Sequence, residues 1–354
     1  MRRRLDYTQL EYKLTQLMKQ QGSITATKAC EFLGISQPAF SRLIGKNQSG
    51  IIKTGSTRSA NYVLPRRTGG LEMPVPVFQI SRDGGSKRVF DLYPAYNEKY
   101  YLQAQTEGFV SGLLDCFPWF LEDMRPSGYL GRLVPRKYPE LDLPEDIYQW
   151  NDDQCLKYLI RYGWDAVGNW IIGTQSLQRY LDRSAQESLG ESDLSENSVA
   201  QYEEMASNVL KHGQAGSSAG GEQPKFLHRQ GNRDVIVKFS PPLESDLGER
   251  RADLLVSEWL AHKTLSDHGI EAATSRVIQG QTRLFLEVNR FDRTEQGRIG
   301  IVSLGALNNQ FAGCAGSWSD ISEKLTETIS LAHELHEEVC LRDLVGRLMA
   351  NTDM

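Results

Sequence analysis

The stretch GQAGSSAGGEQPKF, residues 213–226, is followed by DVIVKF, in which Lys238 sits among Val235, Val237 and Phe239. Glu258 lies 20 residues beyond that lysine. Glycine-rich turns let backbone N–H groups approach phosphate oxygens, because no Cβ stands in the way. An ammonium in a strand of β-branched residues is costly to bury without a counter-charge, which bound phosphates or a carboxylate would supply. The spacing excludes the commonest phosphate loops. Gly216 and Gly221 have the P-loop gap, but Glu222 stands where its lysine belongs, and no G-x-G-x-x-G occurs.

What remains is a phosphate cover with its lysine on a later strand, as in protein kinases. The elements needed to position these groups follow in order. Lys225 starts a strand after the glycines, Gly231–Asn232 reverses the chain, and DVIVKF returns with Lys238. GERRADLLVSEWLAHKTLSDHGI predicts a long amphipathic helix with Glu258 near its middle. Glu258 is then either the partner that positions Lys238 or part of a solvated helix face. TRLFLEVNRFDR predicts an apolar strand running into a polar turn, where backbone groups near Asn289, Arg290 and Phe291 could bond the edge of an adenine. HELH at 333–336 spaces its histidines three apart rather than four, so it predicts a solvated helix and no metal site.

The bulk numbers frame these motifs. A chain of 354 residues, 40% hydrophobic and 24% charged, has room for two or three ordinary globular domains. No apolar run approaches the roughly 20 residues that cross a bilayer, so no membrane role is expected. Five scattered cysteines without C-x-x-C spacing point to a reducing cytoplasm. The net charge of −5 hides an asymmetry: residues 1–67 hold 12 Lys/Arg against 3 acids, and the remainder holds 28 against 42.

That basic head predicts nucleic-acid contact. YTQLEYKLTQLMKQQG places Leu10, Leu14, Leu17 and Met18 on one helical face, ending at Gly22. TATKACEFLGISQPAFSRLIG reads as two short helices around a turn at Gly34, the second capped by Ser36. GIIKTGSTRSANYVL reads as two strands around a basic turn, the wing of a winged helix-turn-helix. Gln37, Ser41, Arg42, Lys46 and Arg58 are expected to face double-stranded DNA, with Ala29, Phe32, Leu33, Phe40 and Leu43 in the core. PRRTGG at 65–70 reads as a linker, Met73–Tyr101 as a small antiparallel sheet, residues 106–186 as mostly helical, and 186–198 as an acidic loop.

GSSAGGEQPK, VIVKF, SEWLA, NRFDR and the closing NTDM together resemble the HipA family of bacterial serine/threonine kinases, toxins of toxin–antitoxin modules. The basic head is similar to that of the YjjJ/HipH-like branch. The resemblance spans about residues 75–354 and rests on the order and spacing of short motifs. It implies an α+β protein with a winged helix-turn-helix at 1–68, a HipA-like N-terminal subdomain at 72–205, and a protein-kinase-like domain at 206–354 completing a two-lobed body. Ala219, Gly220, Gly221 and Lys225 would hold ATP phosphates together with Lys238 and Glu258, and Asn289, Arg290 and Phe291 would form the hinge. Ser217 or Ser218 falls where the family autophosphorylates, which ejects the loop and silences the enzyme. Where many relatives read E-R-F-D-R, this chain has Asn289.

Asp353 matches the family's catalytic aspartate. The family continues as N-T-D-x-H-x-x-N, whose asparagine binds Mg²⁺, and then adds a second metal-binding aspartate; this chain reads Met354 after Asp353. The expectation is a shortened kinase with an incomplete C-terminal helical lobe and with activity lost or severely reduced. The family function is transfer of the ATP γ-phosphate to a serine of a translation-related protein. An antitoxin or a second copy of the chain would be its partner. The alternative is a DNA-binding transcriptional regulator whose kinase-like body senses nucleotide without catalysis.

Overall fold

The computed structural model describes residues 6–46, 50–55, 60–68, 71–189, 197–213, 223–330 and 333–351. The head contains α1 (Tyr7–Gln21), β1 (Ser23–Thr25), α2 (Ala26–Leu33), α3 (Gln37–Gly45), β2 (Ile52–Thr54) and β3 (Asn61–Val63), with an antiparallel sheet ordered β1-β3-β2. Asp6 caps α1 by accepting from the Thr8 and Gln9 N–H groups at 3.1 and 3.2 Å. Gly34 ends α2 in the left-handed conformation, which turns the chain into α3. Ser36 occupies the N-cap of α3 but makes no side-chain cap bond. Leu14, Met18, Ala29, Phe40 and Leu43 form the head's core. Phe32, expected there, is 54% exposed. It is one position short of repeating the buried Ala29 after a full turn, and it points to solvent.

Residues 65–68 are a buttress, not the expected loose linker. Arg66 donates to Asp153 at 2.6 Å, to the Ala95 carbonyl and to the Tyr100 hydroxyl, while Thr68 is buried. Tyr96 packs against the head's core, so these contacts attach the head to the middle of the chain.

The middle domain is a five-stranded antiparallel sheet ordered β7-β6-β5-β4-β8, larger than the expected hairpin sheet. Its strands are β4 (Val75–Ile80), β5 (Ser86–Pro94), β6 (Tyr100–Ala104), β7 (Gly112–Leu114) and β8 (Trp170–Ile172). Between β7 and β8 run the short helices α4 (Gly128–Arg132) and α5 (Val134–Lys137), then α6 (Asp152–Tyr162). An Asn151–Gln154 capping box starts α6. Leu156 and Leu159 of α6 pack on Val77, Leu92 and Ile172 in the main core. After β8 comes α7 (Thr174–Leu189).

The C-terminal sheet is ordered β11-β12-β10-β9, from β9 (Lys225–Gln230), β10 (Arg233–Phe239), β11 (Ser275–Gln279) and β12 (Leu284–Asn289). Helices cover both faces: α8 (Asn197–Gly213) on one and α9 (Asp246–Asp267) on the other. Tyr202 and Ala206 of α8 pack on Val235, Val237 and Phe239, so the boundary expected at 205/206 falls inside a helix belonging to this sheet. Beyond it lie α10 (Leu304–Leu307), α11 (Trp318–Ile329) and α12 (His333–Leu348). His336 of α12 bonds the Ser322 hydroxyl of α11 at 2.8 Å. No helix among the described residues is long and apolar enough to cross a membrane.

Candidate phosphate-binding face

Strand alternation decides where Lys238 points. Val235, Val237 and Phe239 are fully buried under α8, so Ile236 and Lys238 must face α9. On that face Leu284, Leu286 and Val288 of β12 receive Ala252 and Leu255 of α9. Ser245 caps α9, accepting from the Gly248 N–H at 3.1 Å. Glu258, three residues past the anchoring Leu255, meets Lys238: Nζ donates to Oε1 at 2.6 Å. The two side chains are 25% and 32% exposed, so the pair is partly open.

Lys225 is paired directly with Lys238 in the β9–β10 register, which puts both ammonium stems on one face. Gly231, at φ 62, makes the two-residue turn that sets this register. The Phe239 N–H donates to the Pro224 carbonyl at 3.1 Å, and the Gln223 amide donates to the Phe239 carbonyl, so the chain entering β9 is tied beside β10. One turn beyond Glu258, His262 bonds the Ser275 hydroxyl at 2.9 Å. Burial pushes this imidazole below its usual range, with Glu258 opposing and Lys238 assisting. Two lysines and a positioning carboxylate on one sheet face can hold a chain of phosphates. Ser217, Ser218, Ala219, Gly220, Gly221 and Asp353 lie outside the described residues.

The expected hinge behaves differently. Asn289 ends β12, donating its N–H to the Thr274 carbonyl and accepting from Arg233 at 2.8 Å. Phe291 is 68% exposed. Arg290 is a correction: its N–H is committed to the Asp234 carbonyl, and its guanidinium is buried against Asp165 at 2.7 Å and Asp292 at 2.9 Å. Arg293 joins the same carboxylates, at 3.1 and 2.6 Å. Asp165 belongs to the middle domain, so NRFDR rivets the two domains together. The charges of Arg290, Arg293 and Arg183 hold Asp165 below the usual carboxylate range against the opposing effect of burial. Sequence reading missed this cluster. The available signal was two arginines and an aspartate directly after an apolar strand, where buried charges require partners.

In the head, Gln37, Ser41, Arg42 and Lys46 are exposed on α3, opposite the buried Ala39, Phe40 and Leu43. Arg42 bonds the Pro38 carbonyl at 3.3 Å, and the Lys46 ammonium sits 4.9 Å from the Tyr7 ring centroid. Arg58 lies outside the described residues.

A family model described as YjjJ-like toxin, middle domain, matches residues 71–181, and one described as HipA-like C-terminal domain matches residues 217–354. The Escherichia coli (strain K12) protein named Toxin YjjJ is 35% identical over 349 residues, covering 97% of this chain and 77% of that protein. The chain belongs to the HipA family, in its YjjJ-like branch. The Lys238–Glu258 pair and the NRFDR rivet both fall within the HipA-like match, and the five-stranded sheet falls within the YjjJ-like one. Magnesium, which the family resemblance implies, finds no cluster of three or more His, Cys, Asp or Glu side chains among the described residues.

Proposed function

We propose that this HipA-family chain acts as a toxin by binding ATP and transferring its γ-phosphate to a protein serine. The observation carrying the reading is the 2.6 Å contact between Lys238 and Glu258, on the face shared with Lys225. Glu258 holds the Lys238 ammonium in one position, so its N–H donors point at phosphate oxygens without rearrangement. Lys225 adds a second positive charge along the same polyphosphate. The glycine-rich segment at 219–221 would cover the phosphates with backbone N–H groups, and Asp353 would accept the proton of the attacking serine hydroxyl. The five cysteines, all free, and the use of ATP favour a cytoplasmic setting.

Incubation of the full chain with γ-labelled ATP tests this reading. Label on Ser217 or Ser218, or on a protein of a translation extract, is expected in the wild type and lost in Lys238→Ala and Asp353→Ala. Equal labelling in those variants would refute it.

A second reading concerns the head. We propose that it is a winged helix-turn-helix in which α3 enters the DNA major groove, presenting Gln37, Ser41, Arg42 and Lys46. The support is the division of α3 into an exposed polar side and a buried apolar side, in a segment of strong positive charge. If ATP binds without transfer and changes DNA affinity, the chain is a nucleotide-sensing regulator.

A further inference from the structure

A cleft of about 660 Å³ opens where the middle and C-terminal domains meet, at the β9–β10 turn. That turn lies six residues from Lys238, about 20 Å along the strand, so the cleft is separate from the lysine–glutamate face. Its walls carry Arg183 from α7, Arg229 from β9, and Arg293 and Arg298 from the segment after β12.

The carboxylates among these arginines are already shared. Asp234 accepts from Arg183 and Arg229, each at 3.1 Å. Asp165 and Asp292 are both taken by Arg290 and Arg293. Among the described buried and half-buried side chains of this cluster, five guanidiniums meet three carboxylates, an excess of two positive charges. Arg298 carries that imbalance most directly. It is 2% exposed, its Nη2 donates to the Trp164 carbonyl, and its guanidinium lies 4.7 Å from the Tyr180 ring centroid. Its Nε and Nη1 are buried with no hydrogen-bond partner. Burial and the repulsion of Arg293 push its pKa down to about 9. A buried guanidinium with unmade donors is expensive to keep, and its planar fork suits the oxygens of a phosphate.

We propose that this cleft binds a phosphate dianion, free or carried on a small molecule such as a nucleoside monophosphate, with Arg298 as the recognising residue. A dianion matches the excess of two charges, and the volume lies within the range of small-molecule sites. The proposal does not depend on the kinase reading.

Thermal melting of the full chain in millimolar phosphate tests it, beside uridine monophosphate, with uridine and chloride at matched ionic strength as controls. Phosphate and the nucleotide are expected to raise the melting temperature, and the controls to leave it unchanged. A larger rise with the nucleotide assigns the site to a carried phosphate, and equal rises assign it to the free ion. Lys238→Ala should respond to phosphate as the wild type does. Arg298→Met should melt higher than wild type without ligand and show no phosphate response. No response in the wild type, or an equal response in Arg298→Met, overturns the proposal. Should Arg298→Met not fold, Arg183→Gln must lower phosphate affinity at least about tenfold, and unchanged affinity would overturn it equally.

Discussion

Lys225 stands directly across the β9–β10 ladder from Lys238, so two ammonium groups share the sheet face that meets α9. Like charges at opposed positions repel, and a bound polyphosphate turns that repulsion into attraction. Lys225→Met is therefore expected to weaken ATP binding by roughly tenfold, about 1.4 kcal/mol, without lowering the melting temperature. Calorimetric titration of the two proteins checks this. Unchanged affinity would remove Lys225 from the site.

The contact of Asp165 with Arg290 and Arg293 makes a different prediction. Asp165→Ala leaves two buried guanidiniums with Asp292 as their remaining shared carboxylate. Breaking a buried pair costs about 3–5 kcal/mol. The expected result is a loss near the lower figure in urea unfolding, with cleavage appearing between the middle and C-terminal domains under limited proteolysis.

Acid sensitivity follows from two histidines. Burial lowers the pKa of both His228 and His262. The unfolded chain therefore takes up protons first. The stability contributed by the neutral rings is complete above the unfolded pKa of about 6.5 and is lost as pH falls through it toward the lower folded values. The urea midpoint should drop between pH 7.5 and 5.5, and drop less in the His228→Gln/His262→Gln double variant. Parallel curves for the two proteins would contradict this assignment.

The proposed DNA contact of α3 is tested by salt dependence. If Arg42 and Lys46 each neutralise a phosphate, replacing both with alanine reduces the slope of log affinity against log salt by about 2. A gel-shift or anisotropy series with duplex DNA measures it. An unchanged slope would place the contact elsewhere on the head.

Much of this architecture was legible because it rests on local periodicity. The alternation in DVIVKF, the turn at Gly231–Asn232 and the apolar repeat around Leu255 specify a hairpin and a helix. Together they bring Lys238 to Glu258. The head's helices were legible for the same reason, apart from Phe32, whose hydrophobicity does not reveal which side of a short helix it occupies. What could not be read were contacts between distant segments. Arg66 reads as part of a linker until Asp153 and Tyr100 arrive from 87 and 34 residues away. Arg290 reads as a hinge residue until Asp165 arrives from 125 residues away. Buried ion pairs have no periodicity, so their partners appear only once the domains are packed.

The central claim is that the Lys238–Glu258 pair is a phosphate clamp, and titration of the full chain with ATP tests it most directly. The wild type is expected to bind saturably, and Lys238→Ala to bind at least about tenfold more weakly, the effect of losing a charge-assisted hydrogen bond. Absence of ATP binding by the folded wild type at millimolar concentration, or equal affinity in Lys238→Ala, would contradict the claim.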